Sequence, residues 1–110
     1  MRTKLMNSAM MPQPGSYECK TITHEQFCEL IWDADQAGKL DHYIGYQQNC
    51  DLLRKWLDLP FEPNRGTTSL EDGDQMVIMR LKYRPNISDK GKEVKESDFE
   101  FFHIYYKKTQ

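Results

Sequence analysis

The run Ile44-Gly45-Tyr46-Gln47-Gln48-Asn49 has the pattern of a strand end, a glycine and a helix start. Free amides at a helix N-terminus point outward with a partial positive charge, and a glycine there lets a phosphate approach the backbone closely. The pattern fits an anion site with Gly45, Tyr46, Gln47 and Asn49 as contacts, and it fits a plain strand-to-helix turn equally well. Asn64-Arg65, and Arg84 with Pro85 behind it, place two guanidinium groups at expected strand ends, where they would either clamp phosphates or simply be solvated. Asn7-Ser8 adds an amide and a hydroxyl able to read a base or sugar, or to close a strand. Of the three histidines, His42 stands just before the glycine and is the one that could lean into such a pocket. His24 lies in a capping sequence and is expected to be exposed, and His103 lies among aromatics as a hydrogen-bonded core residue. The Tyr46 ring can stack on a purine while its hydroxyl donates to a phosphate.

Composition narrows the partners. With 38% apolar and 29% charged residues in 110, the chain reads as one small folded domain spanning 1–110. A formal charge of −2, with both signs mixed along the chain, argues against the basic face that duplex nucleic acid requires. A small anionic ligand needs only a few well-placed groups and leaves no trace in net charge. No apolar run approaches the roughly 20 residues that span a bilayer, and no signal-peptide core is present, so a cytoplasmic protein without membrane contact is expected. Three cysteines, Cys19, Cys28 and Cys50, without CxxC spacing make a disulfide framework or a metal site improbable, and no cofactor is called for.

The elements that must position these groups follow from patterning. Thr3 to Met10 reads as a strand, Pro12-Gln13-Pro14-Gly15 as a turn, and Ser16 to Thr21 as a strand pairing back on the first. Thr23-His24-Glu25-Gln26 is a capping box that starts a helix, with Phe27, Leu30, Ile31 and Ala34 as its apolar stripe and Gly38 as its left-handed end. Lys39 to Ile44 is a brief extended link. Tyr46 to Asp58 is a second helix, with Leu52, Leu53, Trp56 and Leu57 on one side and Pro60 after it. Asn64 to Leu70 and Gln75 to Tyr83 read as a hairpin about Glu71-Asp72-Gly73-Asp74, with Val77, Met79, Leu81 and Tyr83 on one face of the second strand. Pro85 to Ser97 is a polar loop with room for one helical turn, placed to act as a lid. Phe99 to Tyr106 alternates as a closing strand covered on both faces. The sum is an α/β domain with a mixed, mostly antiparallel sheet of about five strands and two main helices.

Leu5 to Ala9 (Leu-Met-Asn-Ser-Ala), Tyr43 to Tyr46 (Tyr-Ile-Gly-Tyr) with Leu52-Leu53 following, Pro63 to Arg65 (Pro-Asn-Arg), Met79 to Pro85 (Met-Arg-Leu-Lys-Tyr-Arg-Pro) and Phe99 to Phe102 (Phe-Glu-Phe-Phe) occur in this order. In that order the chain resembles the small viral ring-nuclease family of archaeal viruses, phages and mobile elements, whose members antagonise type III CRISPR immunity by cutting cyclic tetra-adenylate. The resemblance implies a homodimer or higher oligomer holding a cyclic ligand across its two-fold axis, with Asn7, Asn64-Arg65 and Arg84 on phosphates and ribose. The family's catalytic Gly-His falls on Gly45-Tyr46. In that metal-free reaction a ribose 2′-hydroxyl attacks the adjacent phosphorus and the histidine protonates the departing 5′-oxygen. An imidazole with a pKa of about 6.5 suits that step near neutrality, whereas a phenol near 10 does not. The acidic position after the hairpin arginine is also lost, to Ile87. The expectation is a protein that captures a cyclic oligonucleotide or cyclic ADP-ribose-type signal. The alternatives are residual cleavage through Tyr46 or His42, and a non-catalytic protein-interaction module.

Overall fold

Residues 75–79 decide the architecture. Gln75 is 8% exposed and Met76, Val77, Ile78 and Met79 are each fully buried, so both faces of this segment need cover and both its edges need partners. The computed structural model describes residues 2–7, 14–64, 66, 70–82 and 96–108. The elements are β1 (Thr3–Met6), β2 (Ser16–Ile22), α1 (His24–Gln36), β3 (Leu40–Tyr43), α2 (Gln47–Leu57), β4 (Gln75–Leu81) and β5 (Phe99–Lys107), with one 3₁₀ turn at Glu96–Asp98. Five strands form one mixed sheet in the order β2-β5-β4-β1-β3. β1 runs parallel to both β3 and β4, and β5 runs antiparallel to both β2 and β4. Four strands therefore point one way, with β5 alone against them. The five-stranded mixed sheet with two helices is the fold class that patterning leads to, but the sheet is not mostly antiparallel, since two of its four pairings are parallel.

Three pairings differ from expectation. β2 does not fold back on β1; it pairs with β5, from Ser16↔Lys107 to Ile22↔Phe101. Asn64, Gly66 and Leu70 lie in no strand, residues 65 and 67–69 lie outside the described residues, and among those described no hairpin partner precedes β4. β4 pairs with the aromatic β5, which offers apolar residues to both faces of the sheet. Leu40 to Tyr43 is more than a link: it adds to the far side of β1, from Thr3↔Leu40 to Met6↔Tyr43. β1 itself stops at Met6, and Ser8 to Gln13 lie outside the described residues, as does most of the Pro85–Ser97 loop.

Alternation separates two cores. On the helix-bearing face Leu5, Val77, Met79, Phe99 and Phe101 meet Phe27 and Ile31 of α1 and Leu53 and Leu57 of α2, with Ile44, Cys50 and Phe61 closing the cluster. Phe27 and Phe101 lie 4.6 Å apart between ring centroids, and Trp56 stands edge-on to Phe99 at 5.9 Å. The opposite face buries Leu70, Met76, Ile78, Ile104 and Tyr106. A polar string crosses the lower part of the helix-bearing face: Gln75 Nε2 donates to Thr3 Oγ1 at 2.7 Å, leaving Gln75 Oε1 to accept from His103 Nε2 at 2.6 Å. His103 is thus the hydrogen-bonded core residue expected of it. The β2–β5 junction is tight at its lower end, where a Cβ added at Gly15 would lie 2.5 Å from the Tyr106 ring and 2.9 Å from the Lys107 carbonyl.

Both helices begin and end as their sequences indicate. Thr23 caps α1, its hydroxyl accepting from Gln26 N at 3.1 Å while Gln26 Oε1 accepts from Thr23 N at 2.9 Å. Gly38 follows with φ +68°, and α2 ends on Asp58 with φ +55°. At the foot of the β1–β3 pair Asp41 takes a bidentate bond from Arg2, at 2.6 and 2.9 Å, and a third from Lys4 at 2.9 Å. The hydrogen bond from Arg2, helped by Lys4, lowers the Asp41 carboxyl to about 2.

Two measurements check this account. Thr23→Ala is expected to cost about 1 kcal/mol in urea unfolding with an unchanged m-value, since it removes one arm of the capping box. The acid branch of stability should have two steps. His42 and His103 are held below the ordinary imidazole value by burial, His103 also by Lys20, so the unfolded chain binds their protons first and stability falls as pH drops below about 6.5. The Asp41 contribution, present above about 3.9, is lost as pH falls toward about 2. His42→Phe should flatten the upper step, leaving the His103 part, in unfolding midpoints followed from pH 7.5 to 2.5; an unaltered upper step would remove His42 from the account.

Candidate ligand edge at the start of the second helix

Among the described residues, the topology brings Asn7, Gly45, Tyr46, Asn49 and Asn64 to one edge. β1 to β4 all deliver their carboxyl ends there, and β5 starts there, with Leu81 opposite Phe99 and Ile22 opposite Phe101. Both helices also begin at this edge, α1 directly after β2 and α2 three residues after β3. In α/β sheets the carboxyl ends of parallel strands are where ligands are usually held, because loops and helix N-termini converge there.

The two helix starts differ in one respect. The first turn of α1 is closed by its capping box. α2 begins on Tyr46, in extended conformation at φ −108° and ψ 126°, with no side chain capping it. Its first-turn amides therefore keep their outward positive ends available to an acceptor from outside. Tyr46 is 59% exposed, so its ring stands in solvent beside those amides. Gly45 is half-buried between β3 and the cap, and Asn7 is half-buried directly after β1. Asn49 is 5% exposed in the first turn of α2, and Cys50 Sγ lies 3.7 Å from the Ile44 carbonyl, so this turn is packed firmly on the strand end.

Asn64 is a staple in this structure. Its backbone N–H donates to the Ile44 carbonyl at 2.8 Å, its Nδ2 donates to the His42 carbonyl at 2.9 Å, and its Oδ1 accepts from Gly66 N at 2.9 Å. The last bond is an Asx turn, which Asn-x-Gly favours, and it is why no strand starts here. Arg54 holds the approach to it, its Nε donating to the Phe61 carbonyl at 2.6 Å. The outer side of β3 is thereby sealed next to Gly45. Arg65, between Asn64 and Gly66, lies outside the described residues, as do Ser8 and Arg84.

Two readings of the sequence change. His42 does not lean toward the edge: it sits level with Leu5 on the helix-bearing face, edge-on to Phe61 at 5.2 Å, with Nδ1 buried and unpartnered. That ring is a packing group. Gln47 is tied along its own helix, Nε2 donating to Asp51 Oδ1 at 2.8 Å. Sequence reading missed His24, which is half-buried rather than exposed. Its ring stands edge-on to Trp56 at 4.7 Å, and Nδ1 lies 2.9 Å from Glu96 Oε2, tying the 3₁₀ turn before β5 to the start of α1. The partners are far apart in sequence, so only the indole on the α2 stripe could have pointed to this contact.

Among solved structures the chain is similar to B116 of Sulfolobus turreted icosahedral virus, with a TM-score of 0.80 at 17% identity over 96% of this chain and 99% of that one. At that identity the likeness establishes the fold. No curated protein sequence matches the chain. Among the described residues no helix is long and apolar enough to cross a membrane. The STIV B116-like family model matches residues 3–107, from the first residue of β1 to the last of β5, and the chain belongs to that family.

Proposed function

We propose that this protein binds a cyclic nucleotide second messenger at the Gly45–Tyr46 edge and sequesters it, antagonising a host antiviral pathway of the type III CRISPR, CBASS or Thoeris kind. The observation that carries the reading is the uncapped start of α2 with an exposed tyrosine on it, at the edge where four strand ends converge. Amides there suit a phosphate, and a solvent-facing phenol ring suits a base by stacking. Family membership supports a viral setting, since B116 is a viral protein. In this reading two copies hold the ligand across a two-fold axis, with Asn7, Ser8, Arg65 and Arg84 adding contacts to phosphate and sugar.

Capture is favoured over cleavage by the groups that stand where a proton donor is needed. Tyr46 falls on the histidine position of the ring-nuclease pattern that the chain resembles, and a phenol is a far poorer general acid for a leaving 5′-oxygen than an imidazolium. His42, the nearest imidazole in sequence, is spent on packing against Phe61.

Calorimetric titration with cyclic di-, tri- and tetra-adenylate and with cyclic ADP-ribose isomers, followed by heat release and chromatography of the ligand, tests the proposal. The expected result is tight binding of at least one ligand and its recovery intact. Tyr46→Ala should weaken that binding by roughly 5- to 150-fold, the range for loss of one base–aromatic stack, while Tyr46→Phe retains most of it. Tyr46→His should convert capture into slow cutting, with linear products ending in 2′,3′-cyclic phosphate. No binding of any ligand would overturn the proposal, and linear products from the unaltered protein would replace sequestration by catalysis.

A further inference from the structure

The start of α1 carries an arrangement that the nucleotide reading does not use. His24 and Cys28 stand one helical turn apart, so their side chains lie on the same face of the helix. His24 Nε2 lies 3.5 Å from Cys28 Sγ, within hydrogen-bond range for sulfur, and His24 Nδ1 lies 2.9 Å from Glu96 Oε2. The imidazole thus bridges a thiol and a carboxylate through its two nitrogens. A carboxylate only accepts, so the Glu96 contact puts the ring hydrogen on Nδ1 and leaves Nε2 of the neutral ring as an acceptor facing the thiol. The ring is held in that pose by aromatic neighbours, Trp56 edge-on at 4.7 Å and Phe101 at 5.5 Å. The capping box of Thr23 and Gln26 fixes the helix turn on which the ring stands. Cys28 itself is half-buried, whereas Cys50 is closed to solvent.

We infer that Cys28 is a nucleophilic thiol, with His24 as its base and Glu96 as the positioning residue, and that it is a site of modification by small disulfides that carry no negative charge. A nucleophile within reach of a base that a third group orients is the arrangement by which thiol and hydroxyl nucleophiles are activated. Burial and the nearby Glu96 carboxylate push the Cys28 thiol up from its ordinary value, so it keeps its proton at rest and depends on a base at the moment of attack. In the step, Cys28 Sγ attacks one sulfur of a disulfide R–S–S–R while its proton passes to His24 Nε2. The S–S bond of the reagent breaks and a Cys28–S–S–R bond forms. The departing thiolate takes the proton back from Nε2 and leaves as R–SH. Cys28 is oxidised, the released half of the reagent is reduced, and no other oxidant is needed. Charge selects the reagent: Glu25 and Glu29, next to His24 and Cys28 on α1, join Glu96 in repelling an anion.

The site uses none of the groups at the start of α2 and does not rest on the nucleotide reading. The test treats the full chain near neutral pH with cystamine, with bis(2-hydroxyethyl) disulfide and with oxidised glutathione, which are cationic, neutral and anionic in turn. Mixed disulfide at Cys28 is followed by peptide mass, with N-acetylcysteinamide in the same solution as an unassisted thiol. With the neutral reagent Cys28 should react about tenfold faster than the free thiol, the gain from a positioned base less the loss from burial. Cystamine should react fastest and oxidised glutathione slowest. His24→Gln and His24→Ala should each slow Cys28 by roughly 10- to 100-fold, and free imidazole should restore part of the rate to His24→Ala but none to Cys28→Ser. Glu96→Ala should slow it less, and Glu96→Gln should keep most of the rate, since its amide oxygen still accepts from Nδ1. Tyr46→Ala should change none of these rates. A Cys28 that reacts more slowly than the free thiol in the unaltered chain, or as fast without His24, would overturn the inference. A preference for oxidised glutathione would overturn its reagent class.

Discussion

The structure depends on β4 being apolar on both faces and paired on both sides. A strand whose residues 76–79 are closed to solvent cannot sit at an edge or under one layer. That requirement brings β1 in on one side and β5 on the other. It sends both helices to one face, and it draws Leu70, Ile104 and Tyr106 to the opposite one. The polar string Thr3–Gln75–His103 meets the same demand where β4 begins, since each buried polar atom in it has a partner from the next strand.

The edge with the exposed tyrosine is a by-product of this arrangement rather than part of it. Once four strands share a direction, their carboxyl ends and the helix starts that follow must lie together. What distinguishes the start of α2 is local: a tyrosine where a serine, threonine or aspartate would have closed the turn, and an asparagine that holds the returning chain against the outer side of β3. The core contributes position, and a handful of surface residues contribute chemistry.

Elements were legible in the sequence wherever their periodicity was self-contained. The capping box at Thr23, the stripe from Phe27 to Ala34, the second helix and the two-faced alternation of β4 and β5 all stand where the pattern puts them. Pairing was less legible. Nothing local says that β2 skips β1 for a partner 79 to 91 positions away, from Ile22↔Phe101 to Ser16↔Lys107. In the Asn64–Leu70 stretch, Asn64 is not a strand opener, because its amide serves an Asx turn and a neighbouring carbonyl, and residues 65 and 67–69 lie outside the described residues. Of the residues singled out for a site, Gly45, Tyr46, Asn49 and Asn64 lie at one edge. The orientation of His42 was not readable, since an edge strand with one covered face can turn its histidine either way.

Position in the sheet also bears on when the protein can fold. β5 is the last strand of the described chain to leave the ribosome, and it fits between β2 and β4, both made much earlier. Until Lys107 emerges, β2 has no partner and β4 lacks one of its two, so only the β3-β1-β4 part of the sheet can pair early. Completion of the sheet is therefore a terminal event, driven by contacts of long sequence separation.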